Sequence, residues 1–274
     1  MEKLEAALAK AREARKFAHP GIEGAAIAPR AVKNGAAADW QALPEVTVSP
    51  EHAQQFRIAA LMGGKDATPY DMLRSRTIRM MKDANWRRLA ITSPNASCGK
   101  TTVALNLALS LARQKDLRIL LLDLDLRRPS LQKVLGYRPA HSVHEVLAGK
   151  VPFAEAAVRF GDNLAICMNN SASRNPAELL HSSQGREVLA QIEAQWRPDI
   201  IIFDMSPMLA SDDNVGFMVN VDCALLIAAA ESTTLQNIDV CEKELAQLTN
   251  VLGVVLNKCR YSDGSAGYGY EDYA

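Results

Sequence analysis

The chain has 274 residues, 48% of them hydrophobic, with Lys+Arg and Asp+Glu equal at 31 each. That is enough for one large α/β domain with extensions, and the zero net charge argues against a chain-wide nucleic-acid or anionic-surface binder. No apolar run approaches the ~20 residues that span a bilayer, no apolar leader opens the chain, and Cys98, Cys167, Cys223, Cys241 and Cys259 lack metal or disulfide spacing, which reads as reduced cytosolic thiols.

Met1 to Ala18 reads as a short, basic helix with a thin stripe of Leu4, Leu8, Ala11 and Ala18. Such a stripe does not fold alone, so the segment is either a docking helix for a partner or a solvated arm. His19 to about Pro50 is rich in Ala, Gly and Pro without a period, which predicts a linker, with Val46–Val48 a short extended piece. A helix is expected over Tyr70–Lys82, just after Pro69. The organisation expected is therefore an N-terminal helix and linker over 1–66, a folded domain over 67–260 and a tail over 261–274.

Within the domain, apolar runs alternate with helical patterns. Strands are expected at Arg88–Thr92, Arg118–Asp123, Leu164–Met168, Asp199–Asp204, Cys223–Ala228 and Gly253–Leu256. Helices are expected at Thr101–Arg113, Val143–Ala148, Ala177–Leu180 and Gly185–Gln195. Alternating β and α with continuously apolar strands implies an α/β fold: a mainly parallel sheet with helices on both faces. The tail, Tyr261 to Ala274, holds four of the six tyrosines (Tyr261, Tyr268, Tyr270 and Tyr273), spaced by Gly264, Gly267 and Gly269. That composition is low-complexity and flexible.

The first strand runs into Ser93-Pro94-Asn95-Ala96-Ser97-Cys98-Gly99-Lys100-Thr101-Thr102 and then an apolar helix. A strand, a short loop, Gly-Lys-Thr and a helix are the context of a phosphate-binding P-loop. Backbone N–H groups from Asn95 to Thr102 would converge on one anion, helped by the helix N-terminus. Lys100 would reach the β- and γ-phosphates of ATP, and the Thr101 hydroxyl would ligate Mg²⁺. Pro94 stands where the general pattern has glycine, and Ser97 where a glycine would allow the closest backbone approach.

The second strand ends in Asp123-Leu124-Asp125-Leu126-Arg127-Arg128-Pro129. Alternation puts Asp123 and Asp125 on one side, at the carboxyl end of the sheet where ligands of such folds bind. Two carboxylates there repel unless a cation intervenes, and Mg²⁺-ATP would supply it. Ile200–Phe203 leads to Asp204, which would ligate Mg²⁺ directly or through water. The last strand ends in Asn257, either an amide that reads the adenine edge or a turn residue.

These motifs resemble the bacterial tyrosine kinases of capsule and exopolysaccharide loci, of the CpsD/CapB type. Thr92–Pro94 looks like their P-loop approach. Leu122–Pro129 looks like their second, family-specific Walker motif. Asn175–Leu180, Ile201–Pro207 and Gly253–Asn257 followed by a tyrosine-rich tail match in order and spacing. The resemblance covers about residues 68–274. It implies transfer of the ATP γ-phosphoryl group to Tyr261, Tyr268, Tyr270 and Tyr273, usually on a neighbouring subunit. Asp123 would be the base for the tyrosine hydroxyl, Asp125 and Asp204 would serve Mg²⁺, and Lys100 would neutralise the transferring group. It further implies self-association, a membrane-embedded polysaccharide co-polymerase as partner, no nucleic acid, and a cytoplasmic protein recruited to the inner face of the membrane.

The chain departs from that family at Ser97, at Ser206 where a proline is usual, in its short tyrosine cluster, and in the oligomerising pattern Glu-x-x-Arg-x-x-Arg, which is not intact in Asp71–Arg79. Two other functions remain open. A partitioning or site-selection ATPase of the ParA/MinD type would carry a signature lysine where Asn95 stands. A nucleotide-binding regulator of a co-polymerase would phosphorylate nothing.

Overall fold

The computed structural model describes residues 39–259. In chain order they form a 3₁₀ turn at Trp40–Ala42, helices α1 (Pro50–Gln55), α2 (Ala59–Met62) and α3 (Gly64–Asp83), strand β1 (Arg88–Thr92), helix α4 (Lys100–Leu111) and β2 (Ile119–Leu124). Then come α5 (Leu131–Leu135), α6 (Val143–Leu147), α7 (Phe153–Ala156), β3 (Ala157–Phe160), β4 (Leu164–Cys167), α8 (Pro176–His181) and α9 (Ser183–Trp196). The remainder is β5 (Ile200–Met205), α10 (Asp213–Met218), β6 (Cys223–Ala229), α11 (Leu235–Leu248) and β7 (Asn250–Asn257). No helix among the described residues is long and apolar enough to cross a membrane.

The seven strands form one sheet in the order β3-β4-β2-β5-β1-β6-β7, parallel except for the β3–β4 pair. Strands buried on both faces carry apolar residues at every position, and alternation divides them between two cores. Leu89 and Ile91 of β1, Ile119 and Leu121 of β2 and Ile200 and Ile202 of β5 face the layer built from α1 to α5. Ala90, Leu120, Leu122, Ile201 and Phe203 face the layer holding α6 to α11. This is the expected two-faced parallel sheet. The antiparallel edge strand β3 and helices α1, α2, α5, α7, α10 and α11 were not anticipated. Helix α11 shows only Cys241 and Leu245 as buried anchors, a stripe too thin to announce itself.

Helix α3 also begins earlier than expected. It starts at Gly64 and carries Pro69 inside it. The helical bond that Pro69 cannot make would go to the carbonyl of Lys65, an exposed residue of the first turn, where water can take its place.

The expected boundary at residue 67 is corrected by the packing of residues 40–66. Trp40 is 5% exposed and its indole N–H donates to the Trp196 carbonyl at 3.0 Å. Its ring meets Trp196 edge-on at 5.7 Å, with the Arg118 guanidinium over its face. Val46 N–H donates to the Arg159 carbonyl and Arg159 N–H to Pro44, so the segment runs alongside edge strand β3 and pairs it. Further on, fully buried Asn106 of α4 accepts from Ala60 N–H and donates to the Arg57 carbonyl. Loop-like composition hid a strap fixed by a few large side chains. The expected helix Met1–Ala18 and the linker before Asp39 lie outside the described residues.

Trp40→Ala removes an aromatic contact, a buried hydrogen bond and the cover over Trp196. The expected loss is about 3–4 kcal/mol of unfolding free energy, read as a lower urea midpoint. A loss under about 1 kcal/mol would show that the strap is not part of the core.

Candidate nucleotide and phosphoryl-transfer site

Strand β1 lies between β5 and β6, so the loop after it opens in the interior of the sheet's carboxyl edge. Asp123 and Asp204 are register partners on neighbouring parallel strands. Alternation sends both to the face that carries α4, because Leu121 and Ile202, two residues earlier, already face that layer. Lys100, the first residue of α4, is thereby aimed at them.

Lys100 Nζ donates to Asp125 Oδ2 at 2.6 Å and stands 3.9 Å from Asp204 Oδ1. Asp123 and Asp204 are 0% exposed, Asp125 4% and Lys100 7%. The remaining oxygen of Asp125 accepts the Arg128 N–H at 3.1 Å and the Ser206 hydroxyl at 3.4 Å. Asp123 Oδ1 accepts the Asp125 N–H at 3.2 Å, whereas Asp123 Oδ2 and both oxygens of Asp204 meet no hydrogen-bond partner. Three carboxylates thus share one ammonium.

The protonation chemistry follows. Burial, the Asp204 charge and the Asp125 charge push the Asp123 carboxyl well above the ordinary carboxylate range, against the pull of Lys100. Burial likewise raises Asp204, with the Lys100 charge opposing. Burial pulls the Lys100 ammonium down, but Asp204 and Asp125 outweigh it and hold the ammonium above its usual value. A buried carboxylate with orphaned oxygens is satisfied by a proton or a metal ion. The donor set fits Mg²⁺: hard oxygens of Asp125 and Asp204 with the Thr101 hydroxyl. No group of three or more His, Cys, Asp or Glu among the described residues converges tightly enough to hold a metal ion by itself. Mg²⁺ takes one or two protein carboxylates and completes its shell with phosphate oxygens and water.

The P-loop spans Asn95 to Gly99. Ser97 has φ of +64° and Gly99 +90°, both left-handed. Ser97 is exposed and adopts a conformation that glycine takes without penalty and serine does not. The loop is braced on both sides. Thr92 donates its hydroxyl to the Ser206 carbonyl at 2.7 Å, and Met208 and Leu209 N–H donate to the Ser93 and Pro94 carbonyls. Cys98 is buried with its sulfur 3.5 Å from the Thr233 hydroxyl. Ala96 is exposed and Thr102 half-buried at the mouth. Asn257, at the end of β7, donates its amide to the Cys98 carbonyl at 2.9 Å. A Cβ on Gly99 would fall 2.3 Å from that amide nitrogen and push it off the Cys98 carbonyl, and the φ of +90° itself favours glycine.

Lys100, Thr101, Asp123, Asp125, Asp204 and Asn257 thus converge with Asn95–Thr102 on one site. Tyr261, Tyr268, Tyr270 and Tyr273 lie outside the described residues. Sequence reasoning missed several supporting groups. Ser130 donates its hydroxyl to Thr101 Oγ1 at 3.0 Å. Fully buried Asn169 donates to the Asp123 carbonyl at 2.7 Å and so fixes the end of β2. Fully buried Asp213 pairs in bidentate fashion with Arg127. Only Asp213, in an acidic run after the Asp204 strand, left a visible trace in the sequence.

Asp123 and Asp204 bind protons more tightly folded than unfolded, so their burial costs stability as pH rises through the folded pKa values. Asp123→Asn keeps an acceptor for the Asp125 N–H and removes one charge. The metal-free variant is expected to melt about 2–8 °C higher than the parent near neutrality, for about 1–2 kcal/mol. The gain should vanish below about pH 4, where the parent's carboxyls are neutral. Thermal melts across pH check it; equal melting at pH 7 would refute the electrostatic strain.

A CobQ/CobB/MinD/ParA nucleotide binding domain profile matches residues 89–268, well over half the chain. The tyrosine-protein kinase Wzc of Salmonella typhi is 27% identical over 243 residues, covering 86% of this chain and 33% of that protein. The tyrosine-protein kinase Ptk of Acinetobacter johnsonii is 31% identical over 183 residues, covering 66% of this chain and 24% of that protein. The kinase domain of Escherichia coli tyrosine kinase ETK superposes with a TM-score of 0.67 at 24% identity, over 83% of this chain and 94% of that one. The chain spans about a third or less of the length of these curated relatives. It belongs to the CobQ/CobB/MinD/ParA nucleotide-binding family, and within that family its likeness is to the bacterial tyrosine kinases.

Proposed function

We propose that the chain is an ATP- and Mg²⁺-dependent protein-tyrosine kinase acting on Tyr268, Tyr270, Tyr273 and Tyr261 of a neighbouring copy's tail, in the control of exopolysaccharide or capsule polymerisation and export. The observation that carries this reading is the buried trio Asp123, Asp125 and Asp204 around Lys100, with one Asp123 oxygen unpartnered. The relatives' names support it.

The residues divide the work by position. Lys100 and the P-loop N–H groups hold the β- and γ-phosphates. Thr101, Asp125 and Asp204 would hold Mg²⁺, which supplies fixed positive charge against the phosphates. The tyrosine oxygen attacks the γ-phosphorus as the bond to the β-phosphate oxygen breaks. ADP leaves, and the phenolic proton passes to the free Asp123 oxygen. Burial raises the proton affinity of that oxygen, the direction a proton acceptor needs. The partner on this reading is a membrane-embedded polysaccharide co-polymerase, which recruits the chain to the inner face of the membrane. If the partner prefers the nucleotide-loaded form, it raises nucleotide affinity by the same factor.

One observation favours a second reading, a nucleotide-dependent regulator that transfers nothing. Left-handed Ser97 strains the loop that must wrap the phosphates.

Lys100→Met is expected to reduce tail phosphorylation by at least about 10²-fold, because the transferring group loses its fixed cation. Replacing all four tail tyrosines with Phe should abolish autophosphorylation and leave ATP affinity unchanged. Phosphotyrosine mass spectrometry and nucleotide titration decide. ATP binding without phosphotyrosine in the parent, with or without the co-polymerase's cytoplasmic segment, would leave the regulator reading in possession.

A further inference from the structure

We infer that the acceptor side of this site selects tyrosines flanked by acidic residues, through a rim of arginines that docks the tail of a second copy of the chain. The inference rests on the kinase reading for the identity of the acceptor, and on geometry for the rim.

Three loops meet beside Asp123 and Asp125. The loop after β2 carries Arg127 and Arg128, and Leu126 in it accepts the Ser173 N–H at 2.8 Å. The loop after β4 therefore lies alongside, carrying Arg174. Asn170 of the same loop donates its amide to the Ala140 carbonyl at 3.2 Å and to that of Pro139, which brings in Arg138 from the loop after α5. Arg127, Arg128, Arg138 and Arg174 are all exposed.

Their charges are not equally free. Arg127 is held by buried Asp213, with Asp212 nearby. The side chains of Arg128, Arg138 and Arg174 have no hydrogen-bond, ion-pair or ring partner among the described residues. Arg128, Arg138 and Arg174 thus place three unpaired guanidinium groups on adjoining loops next to the ends of β2 and β4. Isolated side chains of this kind gain little by facing one another, so the rim is arranged for an anionic ligand.

The chain supplies a segment of matching charge. Residues 261–274 contain Asp263, Glu271 and Asp272 and neither Lys nor Arg, and Glu271-Asp272 immediately precedes Tyr273. A carboxylate next to the acceptor tyrosine would reach the rim while the phenol faces Asp123. Guanidinium–carboxylate pairing of this kind confers selectivity and is weakened by salt.

The test uses the full chain with bound nucleotide and a fluorescein-labelled peptide of sequence Gly-Tyr-Gly-Tyr-Glu-Asp-Tyr-Ala, against the same peptide with Gln and Asn for Glu and Asp. Anisotropy is expected to show about 5- to 10-fold weaker binding of the neutral peptide at 50 mM salt, with the difference shrinking at 300 mM. The double substitution Arg138→Gln with Arg174→Gln should erase the difference, and the double substitution to Lys should keep most of it. Phosphorylation of the two peptides should show the same split in KM, with kcat nearly equal. Equal binding of both peptides by the parent chain would overturn the inference. So would equal binding with the same arginines instead retaining the chain on phosphatidylglycerol vesicles, which would assign the rim to a membrane surface. Selective binding without phosphoryl transfer would leave the rim standing and remove the kinase reading.

Discussion

The organisation of this protein turns on one electrostatic constraint. Three carboxylates and one ammonium are enclosed at the carboxyl edge of a parallel sheet, and Asp123 and Asp204 sit side by side on adjacent strands. Hydrophobic packing alone would never place them so. Strands β2 and β5 are apolar at every other buried position, so the two acids are carried inward by the strands that hold them. The cost is borne because the fold has large cores on both faces of the sheet. An electrostatically strained site of this type is relieved when cation and nucleotide bind, and the binding free energy then also stabilises the fold.

Much of the surrounding chain serves to keep that arrangement from relaxing. Asn169 holds the β2 end by its carbonyl, the Arg128 N–H and Ser206 hydroxyl occupy one oxygen of Asp125, and Ser130 supports Thr101. Asn106, within the P-loop helix α4, ties that helix to the strap that begins near Trp40. The strap itself pairs the otherwise open edge of β3. Sheet edge, P-loop helix and acidic strand ends are joined by hydrogen bonds across long stretches of sequence.

The sequence was legible where one physical signal dominates. Apolar runs of five to seven residues, those of β2 and β5 closing on Asp, declared β1, β2, β5 and β6 to within a residue or two, and Gly-Lys-Thr declared the start of α4. It was silent where structure depends on a few distant contacts. Trp40 and Val46 look like linker residues until Trp196 and Arg159 are beside them. Strand β3 is four residues long and only two of them are buried, so its period is unreadable. Helix α11 hides because its outer face carries Leu235 and Val240, which are exposed, and so blurs its apolar stripe. In the site, ionisable groups could be found from strand ends alone. Ser130 and Asn169 could not, because a polar residue after a strand is usually a turn and nothing local marks it as a brace.

The two left-handed residues of the P-loop show how a motif can be kept while its sequence pattern is broken. Gly99 is favoured by its left-handed backbone, and a Cβ there would also displace the Asn257 amide from the Cys98 carbonyl. Ser97 faces solvent and meets only the intrinsic cost of its backbone, about 1–2 kcal/mol. A penalty of that size is small against the braces that hold both ends of the loop, from Thr92 and Ser93 on one side to Cys98 on the other. The loop can therefore keep its shape with serine in a glycine position. What serine changes is the freedom of the Ser97 backbone to approach a phosphate closely, since its side chain must lie on one side of the loop. The departure from the P-loop pattern thus bears on how tightly nucleotide is gripped, while the fold and the placement of Lys100 are secured elsewhere.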